Sequence, residues 1–87
     1  MKDKLIKNYI NNLKQNDIYN FAIKNNINLT NDEINYLYKL IKNNYQEIIY
    51  NDPDNILKDL KQNISEDSFE KIVKLYYIYK EKYQRFL

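Results

Sequence analysis

The chain of 87 residues contains no glycine and only one proline, Pro53. Glycine takes positive φ at little cost, and both tight β-hairpin turns and phosphate-binding loops depend on it. A chain without glycine is therefore a poor candidate for a β-hairpin architecture or a nucleotide-binding loop. Asparagine tolerates the left-handed conformation at the ends of helices, and it is abundant here. The absence of glycine therefore favours helices that end at asparagine.

Apolar residues recur at helical spacing near the start of the chain. An amphipathic helix is predicted over about residues 2–13. Its apolar stripe consists of Leu5, Ile6, Tyr9, Ile10 and Leu13. A second, short helix is predicted to begin near Asn16 and Asp17, which are good N-caps, and to end at Asn25 and Asn26. Its stripe consists of Ile18, Phe21 and Ala22.

The clearest local signal is a capping box, in which Thr30 is followed three residues later by Glu33. It predicts a third helix over about residues 31–50, with a break near Asn43 and Asn44 because asparagine disfavours helix interiors. The predicted buried stripe of this helix consists of Ile34, Leu37, Tyr38, Ile41, Tyr45, Ile48 and Ile49.

Two further start signals predict a fourth and a fifth helix. Asp52 as N-cap and Pro53 at the first helical position indicate a helix over about residues 53–62. Ile56, Leu57 and Leu60 are its predicted buried residues. Ser65 is predicted to cap a helix over about residues 66–86. Its main stripe consists of Phe69, Ile72, Val73, Tyr76, Tyr83 and Leu87, and Leu75, Tyr79 and Phe86 widen that stripe.

These patterns predict an all-α fold with about five helices in a compact orthogonal or bundle-like domain. No linker, internal repeat or low-complexity block divides the chain, so residues 1–87 are expected to form a single domain. No apolar run approaches the roughly 18 residues that span a bilayer, and residues 1–5 lack the apolar stretch of a signal peptide. We therefore expect a small soluble, cytoplasmic protein that does not engage a membrane.

Composition also limits the kinds of catalysis that the chain could perform. The chain has no histidine and no cysteine, so the commonest general base and the thiol nucleophile are both missing. We therefore expect no enzymatic activity, with no catalytic residue, no cofactor and no metal site. Asp52, Asp54 and Asp59 loosely suggest a cation site, but helix capping and solvation explain these acids better, and an EF-hand loop needs a central glycine.

Residues 17–43 permit a helix-turn-helix interpretation. The helix that would enter the DNA groove begins with Asn31, Asp32 and Glu33. Its first residues should approach bases and phosphates, which two carboxylates would repel. An ordinary corner between two helices is therefore the preferred interpretation.

Two surfaces are candidates for interaction. On the predicted fifth helix, Lys71, Lys74, Ile78, Lys82 and Arg85 fall within about 80° of one another, and Tyr77 lies beside them. This face could be solvated, could contact a protein, or could hold a nucleic acid backbone. On the third helix, Tyr36 and Tyr50 lie off the buried stripe, near Lys39. Tyrosine is enriched in protein interfaces, although partial burial against a neighbouring helix is the preferred interpretation there.

The leading prediction is a non-enzymatic helical interaction or regulatory module that binds a protein partner or a second copy of itself. The alternative is a weak nucleic-acid-binding protein that uses the basic face of the last helix. The net charge of +2 is too balanced to decide for nucleic acid by itself.

Four stretches carry a resemblance to a known family: Asp17 to Ala22, Leu29 to Glu33, Tyr50 to Pro53, and Ser65 to Tyr76. In these stretches, the chain resembles a family of small uncharacterised helical proteins of low-GC Gram-positive bacteria. The resemblance implies a bacterial cytoplasmic origin and a helical fold. It brings no activity or site residue to this chain. Asn26 and Asn51 stand where such turns would be expected to have glycine.

Overall fold

Five α-helices make up the fold in a computed structural model that describes the backbone of residues 2–83 and the side chains of residues 4–82. The helices are α1 (Lys2–Asn11), α2 (Gln15–Lys24), α3 (Asn31–Tyr50), α4 (Asp54–Asn63) and α5 (Glu66–Tyr83). The described residues contain no β-strand, which confirms the all-α prediction. The predicted continuation of the last helix to residue 86, with Arg85, Phe86 and Leu87, lies outside the described residues, as does the side chain of Tyr83.

The longest helix, α3, is the centre of the packing. It contacts α1, α2 and α4, while α5 packs against α4. The buried cluster at these contacts contains Leu13, Ile18, Ile34, Leu37, Leu60 and Ile64. The radius of gyration is 12.6 Å, close to the roughly 12 Å expected of a folded chain of this length. The five helices therefore share one core.

The start of α3 confirms the predicted capping box. Thr30 Oγ1 accepts a hydrogen bond from Glu33 N–H at 3.1 Å, and Glu33 Oε1 accepts from Thr30 N–H at 2.9 Å. The predicted break is also present, since Asn44 has φ −131° and ψ 20° inside the helix. Asn44 Nδ2 donates to the carbonyl of Leu40 at 3.0 Å. The asparagine side chain thus bonds the backbone of the preceding turn where α3 bends.

The end of α2 uses asparagine as predicted. Asn26 has φ 57° and is the only residue with positive φ in the described part of the chain. Its N–H bonds the carbonyl of Ile23 at 3.3 Å, and Ile27 N–H bonds that of Ala22 at 2.9 Å. This pair of bonds is a Schellman motif. Ala22 and Ile27 are both buried, so the motif also leads the chain back into the core.

Two predicted helix starts are displaced by one to three residues. The N-cap of α2 is Lys14, not Asn16 or Asp17, because the Asp17 carboxylate reaches back to Lys14 N–H at 2.9 Å. The N-cap of α4 is Pro53, not Asp52. Asp52 Oδ1 instead accepts from Asp54 N–H at 3.1 Å, which closes a short turn before the helix. In both places an aspartate stabilises the start from a position other than the N-cap.

Ser65 caps α5 as predicted, with its Oγ accepting from Ser68 N–H at 3.2 Å. Ser68 itself is only 1% exposed, and its hydroxyl donates to the carbonyl of Asn28 at 3.2 Å. This bond ties the first turn of α5 to the connection between α2 and α3.

Several residues of the predicted buried stripes are exposed. Leu5 and Tyr9 of α1 are each 69% exposed, so only the C-terminal part of that stripe, Ile10 and Leu13, is buried. Phe21 of α2 and Tyr79 of α5 also lie at the surface. Helical periodicity identifies the side of a helix that is apolar, but the length of that side which a neighbour covers depends on packing.

Candidate interaction surface

The outer face of α5 is defined here by Lys74, Tyr77, Ile78 and Lys82. Tyr77 is 48% exposed and Ile78 is 50% exposed, and both lysines are exposed as well. These four residues lie within an arc of about 140° at about 100° per residue, so one partner surface could contact all of them. Arg85, which was predicted to extend this face, lies outside the described residues.

Acidic residues interrupt the positive charge of this face. Glu70 and Glu81 are exposed, and helix geometry places them between Tyr77 and Lys74 in direction around α5. Lys71, at the start of the predicted basic face, is engaged within the chain. Its Nζ donates to the carbonyl of Asn26 at 3.0 Å and forms a 3.2 Å ion pair with Asp67. The outer face is therefore of mixed charge around two large side chains.

Tyr76 attaches the C-terminal half of α5 to α3. Its hydroxyl donates to the carbonyl of Ile48 at 2.8 Å, and Lys80 Nζ lies 5.6 Å from the centroid of the Tyr76 ring. The Tyr77 ring meets the Tyr76 ring edge-on, with centroids 5.1 Å apart. Tyr76 thus bonds α5 to α3 on the side of the helix opposite its outer face.

Three successive residues, Tyr77, Ile78 and Tyr79, are all exposed although they point in directions about 100° apart. They span an arc of about 200°, and the remaining arc of about 160° faces the body. The last turns of α5 are therefore covered on one side only.

The packing of α3 against α4 buries part of the second predicted surface and leaves part of it exposed. Tyr36 is half-buried, and its hydroxyl donates to Asp59 Oδ2 of α4 at 2.5 Å. Burial and the neighbouring Asp59 carboxylate both disfavour tyrosinate, so the pKa of Tyr36 lies well above its usual range. Lys39 is exposed. Tyr36 thus joins two helices, in agreement with the predicted partial burial against a neighbouring helix, and Lys39 remains at the surface.

Two of the three acids that loosely suggested a cation site accept hydrogen bonds within the chain. Asp52 accepts from the backbone of Asp54, and Asp59 accepts from Tyr36. Among the described side chains, those of residues 4–82, no group of three or more acidic residues is arranged to hold a metal ion. Within the same range, no helix is long and apolar enough to cross a membrane.

Comparisons with protein-family models, with curated proteins and with solved structures give no match to this chain. The resemblance to small helical proteins of Gram-positive bacteria therefore stays a prediction.

Proposed function

We propose that this protein is a non-enzymatic helical interaction module whose outer face of α5 binds a protein partner or a second copy of the chain. The observation that carries the proposal is the exposure of Tyr77 and Ile78, at 48% and 50%, on one face of a helix whose last turns are covered on one side only. Aromatic side chains with a charged surround are typical of the centre and rim of protein interfaces.

The mixed charge of the face supports a protein partner over a nucleic acid. A phosphate backbone is best bound by a surface of one sign, whereas exposed Glu70 and Glu81 lie beside Lys74 on this face. A protein surface can present charges of both signs to such a pattern. The lack of histidine and cysteine supports a role without catalysis, and the lack of cysteine also suits a cytoplasmic location.

A photo-crosslinking amino acid placed at position 78 tests the proposal in the native cell. We expect it to capture one specific protein, or a dimer of this chain. The matched control is the same amino acid at position 23, because Ile23 of α2 is also exposed, at 61%. Equal products from positions 78 and 23, or none from position 78, would reject the outer face of α5 as the binding surface.

Light scattering coupled to gel filtration separates the two kinds of partner. If the partner is a second copy, the apparent mass rises with concentration, and Ile78→Asp restores the monomer while Ile23→Asp does not. If the protein is a monomer at every concentration, self-association is rejected. The crosslinking experiment then tests whether a foreign protein binds this face.

The alternative, a weak nucleic-acid-binding protein, relies on Lys74, Lys82 and Arg85. It requires retention on heparin or DNA at low salt, a steep loss of binding as salt rises, and a further loss in the double variant Lys74→Glu, Arg85→Glu. No retention at low salt would exclude it.

A further inference from the structure

An apolar cavity of about 140 Å³ lies between α3, α4 and α5. Leu40, Ile41 and Ile48 line it from α3, Ile56 and Leu57 line it from α4, and Tyr76 lines it from α5. It is separate from the outer face of α5, which points away from the core. The cavity is therefore a second feature of the molecule and does not depend on the proposed protein contact.

The chemistry of the lining excludes polar occupants. No lining residue carries a charge, and Tyr76 is the only one with a polar side-chain atom. Its hydroxyl already donates to the carbonyl of Ile48 at 2.8 Å. A bound water needs about two to four polar partners, and a buried polar group without a partner costs free energy. The cavity therefore offers little to water or to an ionised ligand.

The size of the cavity suits a single small ring. An engineered apolar cavity of about 150 Å³ in a helical protein stays dry and binds benzene. The present cavity has nearly the same volume and a similar aliphatic lining, but it is partly open to solvent.

The bend of α3 places this space near the surface. Leu40 and Ile41 precede the non-helical Asn44, and Ile48 follows it, so the cavity extends across the bend. Ile41, Ile48 and Ile56 are half-buried rather than enclosed. A small molecule can therefore enter between α3 and α4 without unfolding of the chain.

We propose that this cavity is a binding site for a small uncharged apolar group, about the size of a benzene ring. The group is either a free hydrocarbon molecule or the alkyl end of a longer amphiphile. Both sources share the same chemistry inside the cavity and differ in the polar group left at its mouth.

A titration followed by methyl NMR tests the site, with benzene, hexanoate and benzoate as probes. Benzene is expected to give saturable shifts confined to the methyl groups of the lining residues, among them Ile41, Ile48 and Leu57. Benzoate is expected to bind at least about tenfold more weakly, because its carboxylate would lie next to the ring, within the apolar lining. Hexanoate binding as tightly as benzene would identify an alkyl end as the natural occupant, and weaker hexanoate binding would favour a free hydrocarbon.

Two substitutions change the cavity in opposite directions. Leu57→Trp fills it and should abolish benzene binding, while Ile23→Trp at the exposed position on α2 should leave binding intact. Leu57→Ala widens it and should allow the larger naphthalene to bind, so the test holds even where the tryptophan variant fails to fold. No saturable benzene shift in the wild-type chain, or equal binding of benzene and benzoate, would overturn the proposal.

Discussion

The carboxylate of Glu33 bonds the starts of two helices at once. One oxygen accepts from Thr30 N–H and completes the capping box of α3, and the other accepts from Ser65 N–H at 2.8 Å. Ser65 is the residue that caps α5. One side chain therefore orients the start of α5 relative to α3.

The substitution Glu33→Gln should destabilise the fold by about 1–2 kcal/mol, because an amide offers only one oxygen to two backbone N–H donors. The measurement is the free energy of unfolding from urea denaturation. Asp32→Asn is the matched control, since it removes the same charge from the same helix start at an exposed residue. Equal losses from both substitutions would mean that the helix dipole, rather than the two bonds, accounts for the effect.

Only half of this arrangement could be predicted from the sequence. The bond between Thr30 and Glu33 joins residues three apart, and a local pattern predicts it. The bond from Ser65 spans 32 residues, and nothing in the spacing of Glu33 indicates it. The bond between Tyr36 and Asp59 spans 23 residues and was likewise beyond local pattern.

The Tyr36 hydroxyl should make the stability depend on pH in the alkaline range. Its pKa in the folded chain is raised, by burial and by Asp59, above the ordinary tyrosine value of about 10. Its contribution is therefore complete below about pH 10, and it is lost as the pH rises further, because the unfolded chain ionises first. We expect Tyr36→Phe to cost about 1 kcal/mol at pH 7 and progressively less above pH 10.

Unfolding free energies between pH 7 and pH 11 check this expectation. Tyr9→Phe serves as the control because Tyr9 is 69% exposed on α1, and its effect should stay small at every pH. A difference between wild type and Tyr36→Phe that is constant over the whole range would contradict the assignment.

At the scale of the elements, helix ends in this chain depend on asparagine and aspartate rather than glycine. Asn26, with φ 57°, ends α2 in a left-handed conformation, and Asn44 bends α3. Both roles were predictable because they follow from backbone preferences of asparagine itself. The starts of α2 and α4 were misplaced because Asp17 and Asp52 can each accept from several neighbouring N–H groups, and the sequence does not select one.

Substitutions at Asn26 and Asn25 should have opposite effects. Asn26→Gly should stabilise the fold by up to about 1 kcal/mol, and Asn26→Ala should destabilise it by about 1 kcal/mol, because only glycine takes positive φ without strain. Asn25 has φ −105°, so Asn25→Gly gains nothing there and adds backbone entropy to the unfolded chain. Thermal unfolding of the three variants measures these effects, and a destabilising Asn26→Gly would contradict the left-handed cap.

At the scale of the whole molecule, burial is concentrated around α3 and decreases toward both ends of the chain. Ile34 and Leu37 of α3 are buried, while Leu5 of α1 and Tyr79 of α5 lie at the surface. The apolar stripes predicted these faces but not this gradient. A stripe records which side of a helix is apolar, whereas coverage depends on where neighbouring helices end, and that is set by the tertiary arrangement.

The gradient predicts an uneven local stability. Amide hydrogens of Leu37 and Leu40 should exchange only through global unfolding, whereas those of residues 79–82 should exchange at a much lower free energy. Tyr76 contributes to the stability of these turns, because its bond to the Ile48 carbonyl joins α5 to the far end of α3. Tyr76→Phe should therefore lower the free energy of exchange of residues 79–82 further, by about 1 kcal/mol. For Leu40, the free energy of exchange should fall by no more than the global free energy of unfolding does.

Native-state hydrogen exchange with Tyr77→Phe as the control tests this view of α5. Tyr77 lies next to Tyr76 but is exposed, so removal of its hydroxyl should not loosen the last turns. If Tyr76→Phe leaves residues 79–82 unchanged, some other contact holds α5, and the outer face is not supported from Tyr76. If both variants loosen the helix equally, the effect is not specific to the hydroxyl of Tyr76, and its hydrogen bond to Ile48 is not what keeps the outer face of α5 in place for a partner.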